Sequence, residues 1–236
     1  MPDNFVPEPD AGPWTPRKIA GLVLWLDGSL GVIKDPQNAD KVQKWQDRSG
    51  KGNDVFSEAA DAGPTGPAYD PTVINGKGAV RCENDTYLTL ASKDDFRFGT
   101  GDYGVITVAK AAVNATTGPS FYEKGVAIGL SAAKDFELRT PNGTGSGTAS
   151  LANVPTDTFA IYIARGAQLE VQAGGKKAAG PKTTIDTNDT APLRICRGTG
   201  TAFTSIAEII VVKGALTDAD IAEANTYLKA KYAITQ

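Results

Sequence analysis

The residues best equipped for chemistry are Asp27, Asp47, Asn53 and Asp54. The last three belong to one polar run, Asp47-Arg48-Ser49-Gly50-Lys51-Gly52-Asn53-Asp54. Carboxylates and amide carbonyls are the hard oxygen ligands that calcium takes, and the same groups hydrogen-bond sugar hydroxyls. Beside Gly50 and Gly52 they also form Asx turns and left-handed backbone, so a purely structural role competes with the ligand-binding one. The spacing is not that of an EF-hand loop. Calcium is the one cofactor this set could serve, and the chain is otherwise expected to need none and to hold no metal.

Trp14, Trp25 and Trp45 could stack on sugar rings. Trp25 lies inside an apolar run, and it and Trp45 are expected in the core. Trp14 stands in a proline-punctuated segment and is the tryptophan expected at an interface, together with Pro13, Pro16 and Phe5. Glu208 interrupts a β-branched run and is expected to be a buried carboxylate that needs a donor, such as Arg81 or Arg194; a structural ion pair explains it better than catalysis.

Other motifs fail on context. Gly99-Thr100-Gly101-Asp102-Tyr103-Gly104 has dinucleotide-loop spacing, but a strand follows where that motif needs a helix. Ser49-Gly50-Lys51-Gly52 lacks the phosphate-loop spacing. The Asn-x-Thr sequons at Asn84, Asn114, Asn142 and Asn188 read as turns. The chain has no histidine, which removes imidazole acid–base chemistry, Ser-His and Cys-His nucleophiles and histidine metal sites.

These residues must be positioned by short strands. Leu22–Asp27, Gly104–Ala111, Phe159–Ala164, Leu169–Ala173 and Leu193–Arg197 are the clearest, among about eleven with turn signals between them. In Phe159–Ala164, Phe159, Ile161 and Ile163 face one way and Ala160, Tyr162 and Ala164 the other. Ile206–Val212 is a nearly unbroken apolar run, the mark of a strand covered on both faces. One helix follows, with Thr217 as N-cap, Asp218 and Asp220 in its first turn, a Leu216–Ile221 staple and an apolar stripe of Ile221, Ala224, Leu228 and Tyr232. The pattern predicts an all-β, two-sheet antiparallel sandwich over residues 21–236, with a C-terminal helix. Residues 1–20 form an extended proline-rich arm, expected to dock on its own sandwich or on a neighbouring subunit.

The 236 residues suffice for one core, and a net charge of −3 gives no bulk attraction to nucleic acid or an anionic membrane. The N-terminus lacks the basic and apolar regions of a signal peptide. Cys82 and Cys196 are expected as two buried thiols of a chain made in a reducing compartment, with a disulfide as the alternative.

Two stretches carry a family resemblance. Leu24-Trp25-Leu26-Asp27 is followed by Trp45-Gln46-Asp47-Arg48-Ser49-Gly50 and Gly52-Asn53-Asp54. Near the other end, Ala207-Glu208-Ile209-Ile210 precedes Tyr227-Leu228 and Lys231-Tyr232. This order resembles the concanavalin A-like lectin/glucanase superfamily, in its laminin-G-like branch, recurrent in bacterial surface proteins and bacteriophage virion proteins. The resemblance implies a jelly roll that hosts lectins, glycosidases, adhesion modules and structural parts alike. The laminarinase-type glucanases carry Glu-x-Asp-x-x-Glu on one strand, and no such motif stands here; Asp135-Phe136-Glu137 and Glu170 lack the spacing. The expectation is therefore a non-enzymatic virion surface protein (a capsid decoration, head-fibre or tail-associated module) made in a host cytoplasm. It would be anchored by its arm to other virion proteins or to copies of itself, with weak glycan adhesion. A carbohydrate-binding module of a bacterial surface protein is the alternative, and a divergent glycosidase the third reading.

Overall fold

The computed structural model describes residues 13–58, 66–114, 118–139, 148–166, 168–180, 190–198 and 201–235. Phe5 and the rest of residues 1–12 lie outside the described residues. Among those described, the strands in chain order are β1 (Leu22–Asp27), β2 (Val32–Asp35), β3 (Asn38–Trp45), β4 (Val55–Ser57), β5 (Ala68–Ile74), β6 (Lys77–Cys82), β7 (Leu88–Leu90), β8 (Tyr103–Ala112), β9 (Ser120–Glu123), β10 (Ala127–Leu130), β11 (Phe136–Arg139), β12 (Ala149–Leu151), β13 (Ala160–Arg165), β14 (Glu170–Ala173), β15 (Lys176–Ala179), β16 (Leu193–Arg197) and β17 (Phe203–Lys213). The helix α1 is Asp218–Tyr232.

All pairings are antiparallel. One sheet runs β1-β17-β8-β13-β14-β15, with β6 and β5 extending it beside the first half of β17. The other runs β2-β3-β4-β7-β16-β9-β10-β11-β12. Between the sheets lies the main core, built around Leu24, Trp45, Phe121, Phe136, Tyr162, Ile209 and Val211. A second apolar layer lies on the outer face of the first sheet, where Ile221, Ala224, Leu228 and Tyr232 of α1 cover Trp25, Ile106, Ile161, Ile163, Ile210 and Val212. Strand β17 is thus apolar on both faces because each face has a partner layer, as its composition requires.

Local signals act where the sequence places them. Thr217 accepts from the Asp220 amide at 3.1 Å while Asp220 accepts from the Thr217 amide at 3.0 Å, a closed capping box. Leu216 and Ile221 are both buried. Strands β13 and β14 divide their residues between the two faces as alternation demands. Trp25 and Trp45 are core residues.

Two expectations are corrected. Cys82 and Cys196 form a disulfide, with Cα atoms 5.6 Å apart. It joins β6 of one sheet to β16 of the other. Cys196 has φ +62°; this break in alternation lets both Ile195 and Cys196 face the core. The end of the arm is also not uniformly extended. Pro16 opens a 3-10 turn, Pro16–Lys18, since a first-turn position has no use for the N–H that proline lacks. Pro16 is buried and Pro13 exposed, and Arg17 donates to the Arg48 carbonyl at 3.0 and 2.8 Å.

Candidate functional site

The four ligand candidates separate into two places. Asp47, Asn53 and Asp54 close the loop between β3 and β4. The Asp47 Oδ1 accepts from the Trp25 amide at 3.0 Å and the Ser49 amide at 2.8 Å. Its Oδ2 accepts from the Ser49 hydroxyl at 2.6 Å and the Asn53 amide at 2.9 Å. Asp54 Oδ1 accepts from the Asp47 amide at 2.8 Å, and its Oδ2 lies 2.5 Å from the Lys44 ammonium. The wholly buried Asn53 donates to Val23 O at 2.9 Å and Asp95 Oδ2 at 2.8 Å, and accepts from Lys93 at 2.9 Å. Every side-chain oxygen of the three is already bonded within the protein, so the network fastens the loop to β1. Among the described residues no three acidic or thiol groups converge as metal ligands.

Asp27 belongs to a different network, between the first sheet and α1. A bulge in β17 leaves Ala207 unpaired against β8, so that Ala207 and Glu208 both lie on the helix side. Asp27 of β1 is the cross-strand partner of Glu208. The Lys231 ammonium spans the two carboxylates, 2.6 Å from Asp27 Oδ2 and 2.7 Å from Glu208 Oε2. Tyr232 donates to Glu208 Oε2 at 2.8 Å and the Trp25 indole to Glu208 Oε1 at 2.7 Å. The donor to Glu208 is therefore Lys231, not Arg81 or Arg194, which stand beside Glu83 and Glu123. Burial, helped by the Asp27 charge, raises the Glu208 pKa against the pull of Lys231. Burial also opposes the Lys231 charge, but Glu208 and Asp27 overcome it and hold its pKa above the ordinary lysine value. The acids are 2% and 1% exposed, so the cluster locks the helix to the sheet and offers nothing to solvent. A sequence signal existed: Tyr227 and Lys231 share one flank of α1, four residues apart, above a strand interrupted by a lone acid.

A third group of polar and aromatic side chains lies on the outer face of the second sheet. Cross-strand register places Ile33, Lys44, Phe56, Thr89, Arg194, Glu123, Ala127 and Arg139 in one transverse row. From Phe56 to Arg139 it crosses six strands, about 24 Å at the usual strand spacing. Phe56 is 45% exposed, with the Lys44 ammonium 5.5 Å from its ring centroid. The Arg194 guanidinium stands 5.1 Å over the Tyr87 ring, whose hydroxyl donates to Glu58. Glu123 lies 3.3 Å from Arg197 and 3.9 Å from Arg194, and Glu137 lies 3.2 Å from Arg139. The Glu137 pKa is raised by burial, with Arg139 opposing and Asp135 adding to the rise. The face therefore combines aromatic plates with charges neutralised in pairs. Sequence reasoning missed this row, because its members are scattered over eight short strands.

Trp14 does not stand free. Its ring lies 5.5 Å from that of Tyr227 on α1, so the described end of the arm packs on its own helix.

The fold is a two-sheet antiparallel β-sandwich closed by one C-terminal helix. No protein-family model and no curated protein sequence matches the chain. Solved structures match its shape. The binding domain of botulinum neurotoxin DC in complex with SialylT superposes with a TM-score of 0.63 at 11% identity, over 91% of this chain and 52% of that one. The botulinum neurotoxin type G receptor-binding domain gives 0.62 at 9% identity, over 88% and 51%. A Trypanosoma rangeli sialidase gives 0.59 at 12%, over 92% and 34%. The chain spans about half the length of the neurotoxin domains and a third of the sialidase. At these identities the likeness is one of fold.

Proposed function

We propose that this chain is a non-enzymatic, glycan-binding β-sandwich displayed on a surface, and that its ligand lies across the row from Phe56 to Arg139. The carrying observation is that row: an exposed ring, a guanidinium-capped tyrosine and paired charges on one antiparallel face. Sugars present apolar ring faces to aromatic plates and hydroxyls to charged donors and acceptors, and the row offers both. A neurotoxin binding domain solved in complex with SialylT and a neurotoxin receptor-binding domain, both similar in fold, support the glycan reading. The non-enzymatic part rests on the engagement of Glu123 and Glu137 by arginines. The finer placement is the surface of a bacteriophage virion, with the arm as tether to virion proteins or to other copies; display on a bacterial surface protein is the alternative. A disulfide between the sheets suits either, since disulfides persist on virion and cell surfaces.

A glycan array with the purified chain tests the binding. Phe56→Ala and Arg194→Ala should each abolish array signal while the thermal transition stays in place. Binding that survives both substitutions refutes this face as the site. Turnover of any bound polysaccharide would refute the non-enzymatic reading, and absence of the chain from purified virions would remove the phage placement.

A further inference from the structure

The cluster between α1 and the first sheet holds an amine against a carboxyl almost out of reach of solvent. Asp27 is 2% exposed and Glu208 1%, and the Lys231 side chain only 14%. Lys231 Nζ lies 2.6 Å from Asp27 Oδ2. A carboxyl carbon sits about 1.2 Å from its oxygen. Nζ therefore stands roughly 3–4 Å from Asp27 Cγ, close to the separation of reacting atoms held for attack. Aromatic rings wall the pair: those of Tyr227 and Tyr232 lie 5.3 and 5.1 Å from Nζ, and Trp14 packs on Tyr227.

Glu208 is the third member. Its Oε2 lies 2.7 Å from the same Nζ, and cross-strand pairing sets it beside Asp27. Trp25 and Tyr232 donate to it independently of the lysine, so it stays in place whether or not Lys231 is charged. Burial raises its pKa, which suits a group that takes up a proton and gives it back. One ammonium facing two buried carboxylates leaves a surplus negative charge, which a structural ion pair alone does not call for.

The geometry points to a covalent modification: Lys231 and Asp27 condense into an intramolecular amide, with Glu208 carrying the protons. The Lys231 ammonium gives a proton to Glu208 along their hydrogen bond. The freed nitrogen lone pair attacks Asp27 Cγ, and the carbonyl π pair moves onto oxygen. A second nitrogen proton leaves by the same route. Glu208 returns both protons to the departing Asp27 oxygen, the C–O bond breaks and water leaves. Ammonium and carboxylate thus become a secondary amide and one water; nothing is oxidised or reduced, and Glu208 ends as it began. Neighbouring acids hold the Lys231 pKa up, which keeps the free amine scarce, so closure is slow and follows folding. Contact between the groups supplies an effective molarity of up to about 10⁵–10⁸ M, which separate amines and carboxylates in water lack. The ion pair is the state before closure, and the bond ties β1 to α1 across 204 residues. This goes beyond the glycan reading and does not depend on it.

Intact mass spectrometry tests it on the full chain, kept folded for days near neutral pH and then reduced and denatured. The chain should be lighter than its sequence by one water. A peptide map should join the segment holding Asp27 to the one holding Lys231, with trypsin no longer cutting after Lys231. Glu208→Gln keeps the side-chain shape and removes the proton carrier; it should retain the full sequence mass with an unchanged far-UV spectrum. Full sequence mass in the native chain overturns the proposal. Water loss mapped to another aspartate overturns it too, because succinimide formation also releases water. Undiminished closure in Glu208→Gln overturns the role of Glu208. The native mass and map decide the bond itself even where that variant does not fold. Glycan binding on the same samples is read independently, so failure of one proposal leaves the other standing.

Discussion

Replacing Lys231 by methionine keeps an unbranched side chain of similar length and removes the cation between Asp27 and Glu208. The ammonium makes charge-assisted bonds of 2.6 and 2.7 Å to two nearly inaccessible carboxylates. Trp25 and Tyr232 still donate to Glu208 afterwards, but Asp27 keeps only the Ser29 amide at 2.9 Å. Breaking a buried ion pair from one side costs about 3–5 kcal/mol, which for a domain of this size lowers Tm by roughly 6–20 °C. The pH dependence has a definite sign. Glu208 has its folded pKa above the ordinary 4.5, so the folded state holds that proton more tightly than the unfolded state. Its contribution is complete below the ordinary glutamate value and declines as pH rises through the raised one. Lys231 acts at the other end: its contribution is complete below 10.5 and is lost only as pH rises through its own raised value. In Lys231→Met the Glu208 carboxyl loses the cation that opposes its raised pKa, so acidification from pH 8 to pH 5 should narrow the gap to the native protein. Thermal unfolding followed by far-UV circular dichroism across that range reads both effects. A Tm within 2 °C of the native value at pH 7, with no narrowing toward acid, would refute the clasp.

Two further outcomes follow from the same geometry. Reducing Cys82–Cys196, whose partners are 114 residues apart, should lower stability by up to about 4–5 kcal/mol; urea unfolding with and without reductant checks this, and an intact mass equal to the fully reduced chain would remove the bond itself. Asp47→Ala deletes the acceptor of four hydrogen bonds and should cost about 3 kcal/mol or more, with added calcium changing neither protein's Tm; a calcium-dependent rise in the native protein would reinstate the loop as a metal site.

Much of the frame was legible in the chain. Leu22–Asp27 and Leu193–Arg197 occur with the predicted bounds, because each combines apolar residues with clear turn residues on both sides. The Thr217 cap and the Ile221-Ala224-Leu228-Tyr232 stripe were equally plain, since both depend on neighbours within one or two turns. Strands β2, β3, β4, β5, β12 and β15 do not stand out as strands in the sequence. Asn38–Trp45 reads as a polar loop with two apolar residues, and Lys176–Ala179 as a turn; their pairing comes from strands already fixed by the core.

What the sequence determined by itself is the layer count: a β-branched run apolar on both faces demands cover on both, and one amphipathic helix supplies the second cover. What only the tertiary structure decided is the assignment of each polar group. Asp27 and Asp47 look alike in the sequence, each an aspartate near an apolar run. One became half of a buried acid pair bridged by a lysine 204 residues away, the other the anchor of its own loop. The Phe56–Arg139 row likewise exists only after register brings distant residues together, because hydrogen-bond partners and charge neighbours are set by distance in space, which the order of residues alone does not specify.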